Sequence, residues 1–266
     1  MEKEDVYFNK IFIIQSLPSD ERRTGDEIEL RIKYLSYRGN PINVELTDIN
    51  SSDDLFQTLN RIKSLVSSGG LPFIHFEIHG SKQGLVLRNN ELVEWHKLKD
   101  TLLDLNKKTK NNLFISLATC HGGHLLKIYK PWEACPFYGY IGPTEEVYDL
   151  DLEASFSEFF ETLLTENDFA KAIEKLQLTV DGNSSKYAFL NCYGYFDRLI
   201  KLYKEEIDNP RIRKERVKEI IKKYKSRYPE NKLTSKELKK EAERLVLTNA
   251  EDEEFERMRK IFLHES

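Results

Sequence analysis

The sequence predicts an α/β protein whose mostly parallel β-sheet is covered by helices on both faces and is followed by a helical C-terminal extension. Three observations predict it. The first two-thirds of the chain alternates short β-branched or aromatic runs with longer helical patterns, which is how βαβ units read. Leu113 to Thr119 (LFISLAT) is a continuous apolar run, as a central strand covered on both faces must be. Beyond Tyr195 the chain turns charge-rich and helical, with no strand pattern.

Taken in order, Lys10 to Gln15 reads as a strand, Pro18-Ser19-Asp20 as a loop, and Asp26 to Tyr37 as a helix stopped by Gly39-Asn40-Pro41. Ile42 to Leu46 is a second strand. Ser51 to Asp54 then caps a helix whose Leu55, Leu59, Ile62 and Val66 form one apolar stripe, ended by Gly69-Gly70. Pro72 to His79 is a third strand. Gly84 to Leu87 and Glu91 to Trp95 flank Asn89-Asn90 as a hairpin, because paired Asn tolerates left-handed turn geometry. A helix from Trp95 to Leu105, the LFISLAT strand, a strand at Phe137 to Ile141, helices at Leu152 to Leu164 and Phe169 to Leu176, and a strand at Lys186 to Cys192 complete a domain over residues 1–194. Residues 195–266 form a helical subdomain, with segments at Phe196 to Ile207, Pro210 to Tyr228, Ser235 to Leu247 and Asp252 to Leu263.

The composition narrows the function classes. Among 266 residues, 41 Lys and Arg stand against 45 Asp and Glu for a net charge of −4, so no overall positive field draws the chain to nucleic acid or an anionic membrane. The aromatic content of 11% argues for a packed core throughout. Met1 to Asp5 is acidic and the early apolar run Ile11 to Ile14 is too short for a signal peptide or a membrane span, which points to the cytoplasm. Three cysteines at wide, irregular spacing do not make a disulfide framework, so each is weighed as a nucleophile. Only Cys120 has a suggestive context.

That context is a pair of stretches at the carboxyl ends of consecutive core strands, where open α/β sheets place their sites. His75-Phe76-Glu77-Ile78-His79-Gly80 leaves the third strand into a glycine, and Ala118-Thr119-Cys120-His121-Gly122-Gly123-His124 leaves the LFISLAT strand in the same manner. If the strands are neighbours, an imidazole and a thiol face one another. An imidazole can take the proton of a thiol and hand one to a leaving amine, which is acyl-transfer chemistry. The backbone amides of Gly80 and Cys120 are candidate donors to the developing oxyanion. Glu77 shares a strand face with His79 and is a candidate to orient it, although a carboxylate inside a sheet layer is more commonly satisfied by its neighbours.

Strand, His-Gly, hairpin, helix, then strand, small residue and Cys resembles the caspase-like peptidases of clan CD, including the CHAT branch, over Lys10 to Leu164. The resemblance implies a caspase-like sheet, a thiol protease with a His79/Cys120 dyad, an oxyanion hole at the amides of Gly80 and Cys120, and no cofactor. It further implies a protein or peptide substrate. Such enzymes are commonly latent until a processing cut, an activating partner or a small-molecule signal orders the site, and serve in antiviral defence or programmed cell death. Caspases that cut after aspartate carry Gln two residues before the nucleophile, where this chain has Ala118. Arg23-Thr24-Gly25 matches the caspase Arg-x-Gly after the first strand, making Arg23 a candidate substrate-binding residue. Glu145, Glu146 and Asp149 are candidates for a pocket that accepts a basic side chain.

Rival readings are weaker. His75, His79, Cys120, His121 and His124 are all zinc-ligand types, but His-x-Glu-x-His in a β-rich stretch lacks the helical His-Glu-x-x-His spacing of a metalloprotease. His121 and His124 are expected to flank the site or cap the helix after Gly122-Gly123, glycines that suit a mobile loop. Arg211 to Arg227 is locally basic, yet Glu215 and Glu219 interleave at helical pairing distances and Val217, Ile220, Ile221 and Tyr224 make an apolar face, which describes a solvated helix packed on the core. The alternative from another class is a non-catalytic caspase-like fold that binds a partner through its helical tail.

Overall fold

The computed structural model describes residues 7–38, 41–67, 69–178, 186–230, 233–247 and 250–265. The acidic run Met1 to Asp5 and the Gly39-Asn40 helix stop lie outside them. The chain forms two compact units, Met1–Lys130 with Ala134–Cys192, and Pro131–Glu133 with Tyr193–Ser266. The boundary at Cys192 falls two residues ahead of the 194/195 division read from composition.

The first unit opens with β1 (Lys10–Ser16), α1 (Thr24–Arg38), β2 (Asn43–Asp48), α2 (Ser52–Val66) and β3 (Pro72–Gly80). A hairpin of β4 (Gly84–Val86) and β5 (Leu92–Glu94) follows, with Asn90 at φ 67° supplying the left-handed turn residue the Asn pair suggested. The expected helix at Trp95 begins as a short 3-10 turn, Trp95–Leu98, and continues as α3 (Lys99–Lys108). Then come β6 (Phe114–Ala118), a 3-10 segment Gly122–Ile128, β7 (Gly139–Pro143), α4 (Asp149–Glu166), α5 (Phe169–Leu178) and β8 (Tyr187–Asn191).

The sheet order is β2-β1-β3-β6-β7-β8, with the β4-β5 hairpin off β3. Pairings from β2 to β7 are parallel, and β8 runs antiparallel to β7, so the sheet is mixed at one edge. From β1 the chain moves through α1 to β2 on one side, and from β2 it returns through α2 past β1 to β3 and on to β6 on the other. Crossovers of one hand therefore place α1 and α2 on opposite faces: α1 packs with α4, and α2 packs with α3. The junction of β1 and β3 is the point at which the connections reverse direction, and a crevice opens there at the strand carboxyl ends.

Local chemistry sets these elements. The capping box at α2 is complete: Ser51 Oγ accepts from the Asp54 amide at 3.3 Å, and Asp54 Oδ2 accepts from the Ser51 amide at 3.0 Å. β3 is buried from Pro72 through Ile78, and Phe73 packs against Phe114 of β6 with ring centroids 5.1 Å apart and planes tilted by 30°. β7 starts two residues later than the sequence suggests, because Phe137 and Tyr138 lead into the sheet and the ladder begins only at Gly139. A Cβ at Gly139 would come within 2.6 Å of the Phe114 ring, so glycine is what lets these strands close.

The second unit holds α6 (Cys192–Asp208, entered from the last residue of the first unit), α7 (Pro210–Arg227), α8 (Ser235–Leu247) and α9 (Ala250–Phe262). Asn209 caps α7 by accepting from the Arg211 amide at 2.9 Å, with Pro210 in the first turn where its missing N–H costs nothing. Val217, Ala242 and Val246 are buried together, with Tyr203, Ile220 and Ile221 packed against them. On the outer face Arg211 pairs with Glu215 at 3.6 Å and Arg216 with Glu219 at 3.3 Å, as the interleaved charges led one to expect.

Candidate active site

The β3-β6 register aligns His75 with Ser116 and Glu77 with Ala118. Side chains repeat every second residue along a strand, so the next pair on that face, just past the ladder's end, is His79 and Cys120. Both line one cavity of about 280 Å³ at the strand carboxyl ends. Ser16 closes β1 nearby, and the loop after it contributes Leu17, Glu21 and Arg22; Thr24 of α1, Glu77, Ile78 and Ala118 form the inner wall, and Val147 to Asp149 with Leu152 complete it.

Gly80 explains how the two motifs come so close. A Cβ on it would sit 2.1 Å from the Cys120 carbonyl oxygen and 2.4 Å from Thr119 Cγ2, so the backbone of the Cys120 turn rests directly against this glycine. Cys120 is half-buried and its thiol reaches the Val147 carbonyl oxygen at 3.5 Å. Cys135 and Cys192 are fully buried instead. Burial, reinforced by Cys192 alongside, pushes the Cys135 thiol far above the ordinary cysteine range.

His79 lies at the rim, its side chain 47% exposed, and its Nε2 is 2.7 Å from Oε2 of Glu21. Glu21 has no sequence signature beyond a polar loop. It reaches His79 because β1 and β3 are adjacent in the sheet, which places the loop after one beside the end of the other. The candidate orienting role of Glu77 takes a different form. Its Oε1 lies 2.8 Å from His75 Nε2, its Oε2 accepts from the Thr24 hydroxyl at 2.6 Å, and His75 Nδ1 lies 2.7 Å from Ser116 Oγ. This buried chain ties β6 to β3 and to the start of α1, and the carboxylate bonded to His79 is that of Glu21 rather than Glu77. Gln15 extends the same anchorage by accepting from the Gly25 amide at 3.0 Å.

Arg23 lies outside the cavity lining: its guanidinium bonds Asp26, in the first turn of α1, at 2.7 Å and Asp48, at the end of β2, at 3.2 Å. The neighbouring Arg22 lines the cavity, with Nε donating to Glu27 at 2.9 Å. Of Glu145, Glu146 and Asp149, which follow β7, only Asp149 lines the cavity. The Glu145 carbonyl accepts from the His121 amide at 3.1 Å, and Glu146 Oε1 is 3.4 Å from His121 Nε2, so both contact the turn beyond Cys120. His121 takes the left-handed conformation there, at φ 57°, and immediately precedes the Gly122–Ile128 segment. Burial lowers the affinity of His124 for a proton. Among the described residues no group of three or more His, Cys, Asp or Glu side chains is gathered as a metal site, and no helix is long and apolar enough to cross a membrane.

No family model matches the chain, and none of the curated proteins matches it.

Proposed function

We propose that the chain is a caspase-like cysteine endopeptidase, regulated and latent until activated, that hydrolyses peptide bonds through an acyl-enzyme on Cys120. The observation that carries this reading is the register of β3 on β6, which brings a half-exposed imidazole and the one half-buried thiol to a shared cavity at the sheet's topological reversal. His79 Nε2 is taken by Glu21, which leaves Nδ1 as the nitrogen to serve Cys120. In the reaction Cys120 Sγ attacks the scissile carbonyl carbon as its proton passes to His79. The oxyanion is met by the backbone amides of Gly80 and Cys120. His79 then protonates the departing amine, leaving a thioester. Water, deprotonated by His79, attacks the thioester and releases the new carboxyl group and the thiol. Glu21 acts as a positioning residue, fixing the ring's tautomer and direction. A role in antiviral defence or programmed cell death rests on the resemblance to caspase-like enzymes.

Limiting iodoacetamide on the intact chain tests the nucleophile. A single adduct is expected on the Cys120 peptide by mass spectrometry, with peptidase activity falling in step, because Cys135 and Cys192 are buried. Adducts spread over the three cysteines, or full activity after Cys120 is blocked, would count against the assignment. Glu21→Gln should lower kcat modestly. The Glu21 and His79 side chains are 44% and 47% exposed, and such pairs are worth about 0.2–1 kcal/mol, so up to about fivefold is expected, with a smaller effect at high salt. A loss of a thousandfold would make Glu21 a catalytic group in its own right.

A second reading, a non-catalytic module that binds a partner through the helical tail, draws support from a groove of about 530 Å³ in the second unit. Val217 and Ile221 face it, and Arg213, Lys214, Lys218 and Lys239 surround them. The alkylation experiment separates the two, since a scaffold thiol has no activity to lose.

A further inference from the structure

We infer that the cavity beside Cys120 receives the side chain of the residue whose carbonyl is attacked, and that it selects lysine or arginine. The inference rests on the peptidase reading above. With thiol and imidazole both on its lining, the cavity is the space adjoining a carbonyl carbon held at Cys120. At about 280 Å³ the space lies just below the range of pockets for drug-sized ligands, which suits one long side chain.

The lining separates into an apolar sleeve and acids at two depths. Leu17, Ile78, Val147 and Leu152 offer a sleeve for a methylene stem. Glu77, 2% exposed, is the inner acid, and exposed Asp149 stands at the rim. Glu77 is bonded by the Thr24 hydroxyl and the His75 ring, and no Lys or Arg pairs with it among the described residues. Each Glu77 oxygen has one partner there and keeps a further lone pair, so a substrate cation that reaches it need displace neither. Ala118, directly across the ladder from Glu77, is too small to screen that acid from the cavity. The other two charged groups of the lining are already engaged: Glu21 with His79, and Arg22 with Glu27 at 2.9 Å and Glu153 at 3.5 Å. An acidic substrate side chain would meet Arg22 only after displacing those acids.

The experiment uses the full chain and four peptidyl acyloxymethyl ketones that differ only in the residue next to the electrophile: Arg, Lys, Ala or Asp. Labelling of Cys120 is followed by mass spectrometry, alongside iodoacetamide. The Arg and Lys probes are expected to label at least about tenfold faster than the Ala probe, with the Asp probe slowest. Asp149→Asn should narrow the Arg-to-Ala ratio severalfold, and so should Glu77→Gln, checked for folding by thermal melting; the exposed Asp149 keeps the test valid if Glu77→Gln fails to fold. Equal rates, or fastest labelling by the Asp or Ala probe, would overturn the selectivity while leaving Cys120 as nucleophile. Failure of every peptidyl probe while iodoacetamide still favours Cys120 would overturn the placement of the substrate side chain in this cavity. Failure of iodoacetamide to favour Cys120 as well would overturn the peptidase reading, and the inference with it.

Discussion

Cys120→Ala is expected to abolish peptide hydrolysis, with kcat/KM at least about 10³-fold below that of the unaltered chain, and His79→Ala is expected to match it. Two groups that pass one proton between them in the proposed reaction act as a unit, so the double variant should be no worse than either single one. The fold should survive. Cys120 is half-buried and its thiol makes one weak contact, to the Val147 carbonyl at 3.5 Å, so the melting midpoint should move by no more than about 2–4 °C. A Cys120→Ala protein that folds and still cleaves peptide at the unaltered rate would exclude the thiol from the chemistry.

Gly80→Ala is expected to be nearly as damaging, for a geometric reason. The added Cβ would stand 2.1 Å from the Cys120 carbonyl oxygen, and a backbone carbonyl cannot swing aside as a flexible side chain can. Either β3 or the Cys120 turn must move, and misplacing a nucleophile by about 1 Å costs about 10²-fold in rate. Overpacking at so tight a contact should also remove about 1–3 kcal/mol of stability in urea denaturation. Gly123→Ala is the matched comparison. Its Cβ would meet Thr144 Cγ2 at 3.4 Å, an ordinary contact, and activity should stay within a few fold. Equal behaviour of the two variants would mean that the β3 and β6 ends are not locked together through Gly80.

Much of the scaffold was legible because its elements carry strong local signals. LFISLAT marks a strand covered on both faces, the Ser51 box marks the start of α2, and Asn89-Asn90 marks a hairpin. His79 and Cys120 were legible as candidates for a related reason: each follows a strand pattern just before a small or glycine-rich turn, at the edge where a parallel sheet exposes its strand ends. Direction and adjacency were harder to read. Nothing in KYAFLNC says whether β8 runs with or against β7, since an edge strand takes its direction from the connection that delivers it. Glu21 is one of several loop acids, and its reach to His79 depends on β1 lying beside β3, a matter of sheet order. The arginine on the cavity lining differs by one position from the expected one for another reason. Arg23 is drawn off by Asp26 and Asp48, so that Arg22 lines the cavity instead. Glu77 shares its face with His79 as the alternation required, but His75 and Thr24, contributed by β3 itself and by α1, claim both its oxygens.

The pairing of His79 with Cys120 in one reactive centre is tested most directly by trapping the acyl-enzyme. The chain is mixed in excess over a peptide thioester ending in arginine, quenched in acid within a turnover, digested and read by mass spectrometry. The expected result is a transient acyl adduct on the Cys120 peptide that forms and decays far more slowly in His79→Ala. Hydrolysis of the thioester with no adduct on Cys120, or an adduct whose kinetics ignore the loss of His79, would contradict it.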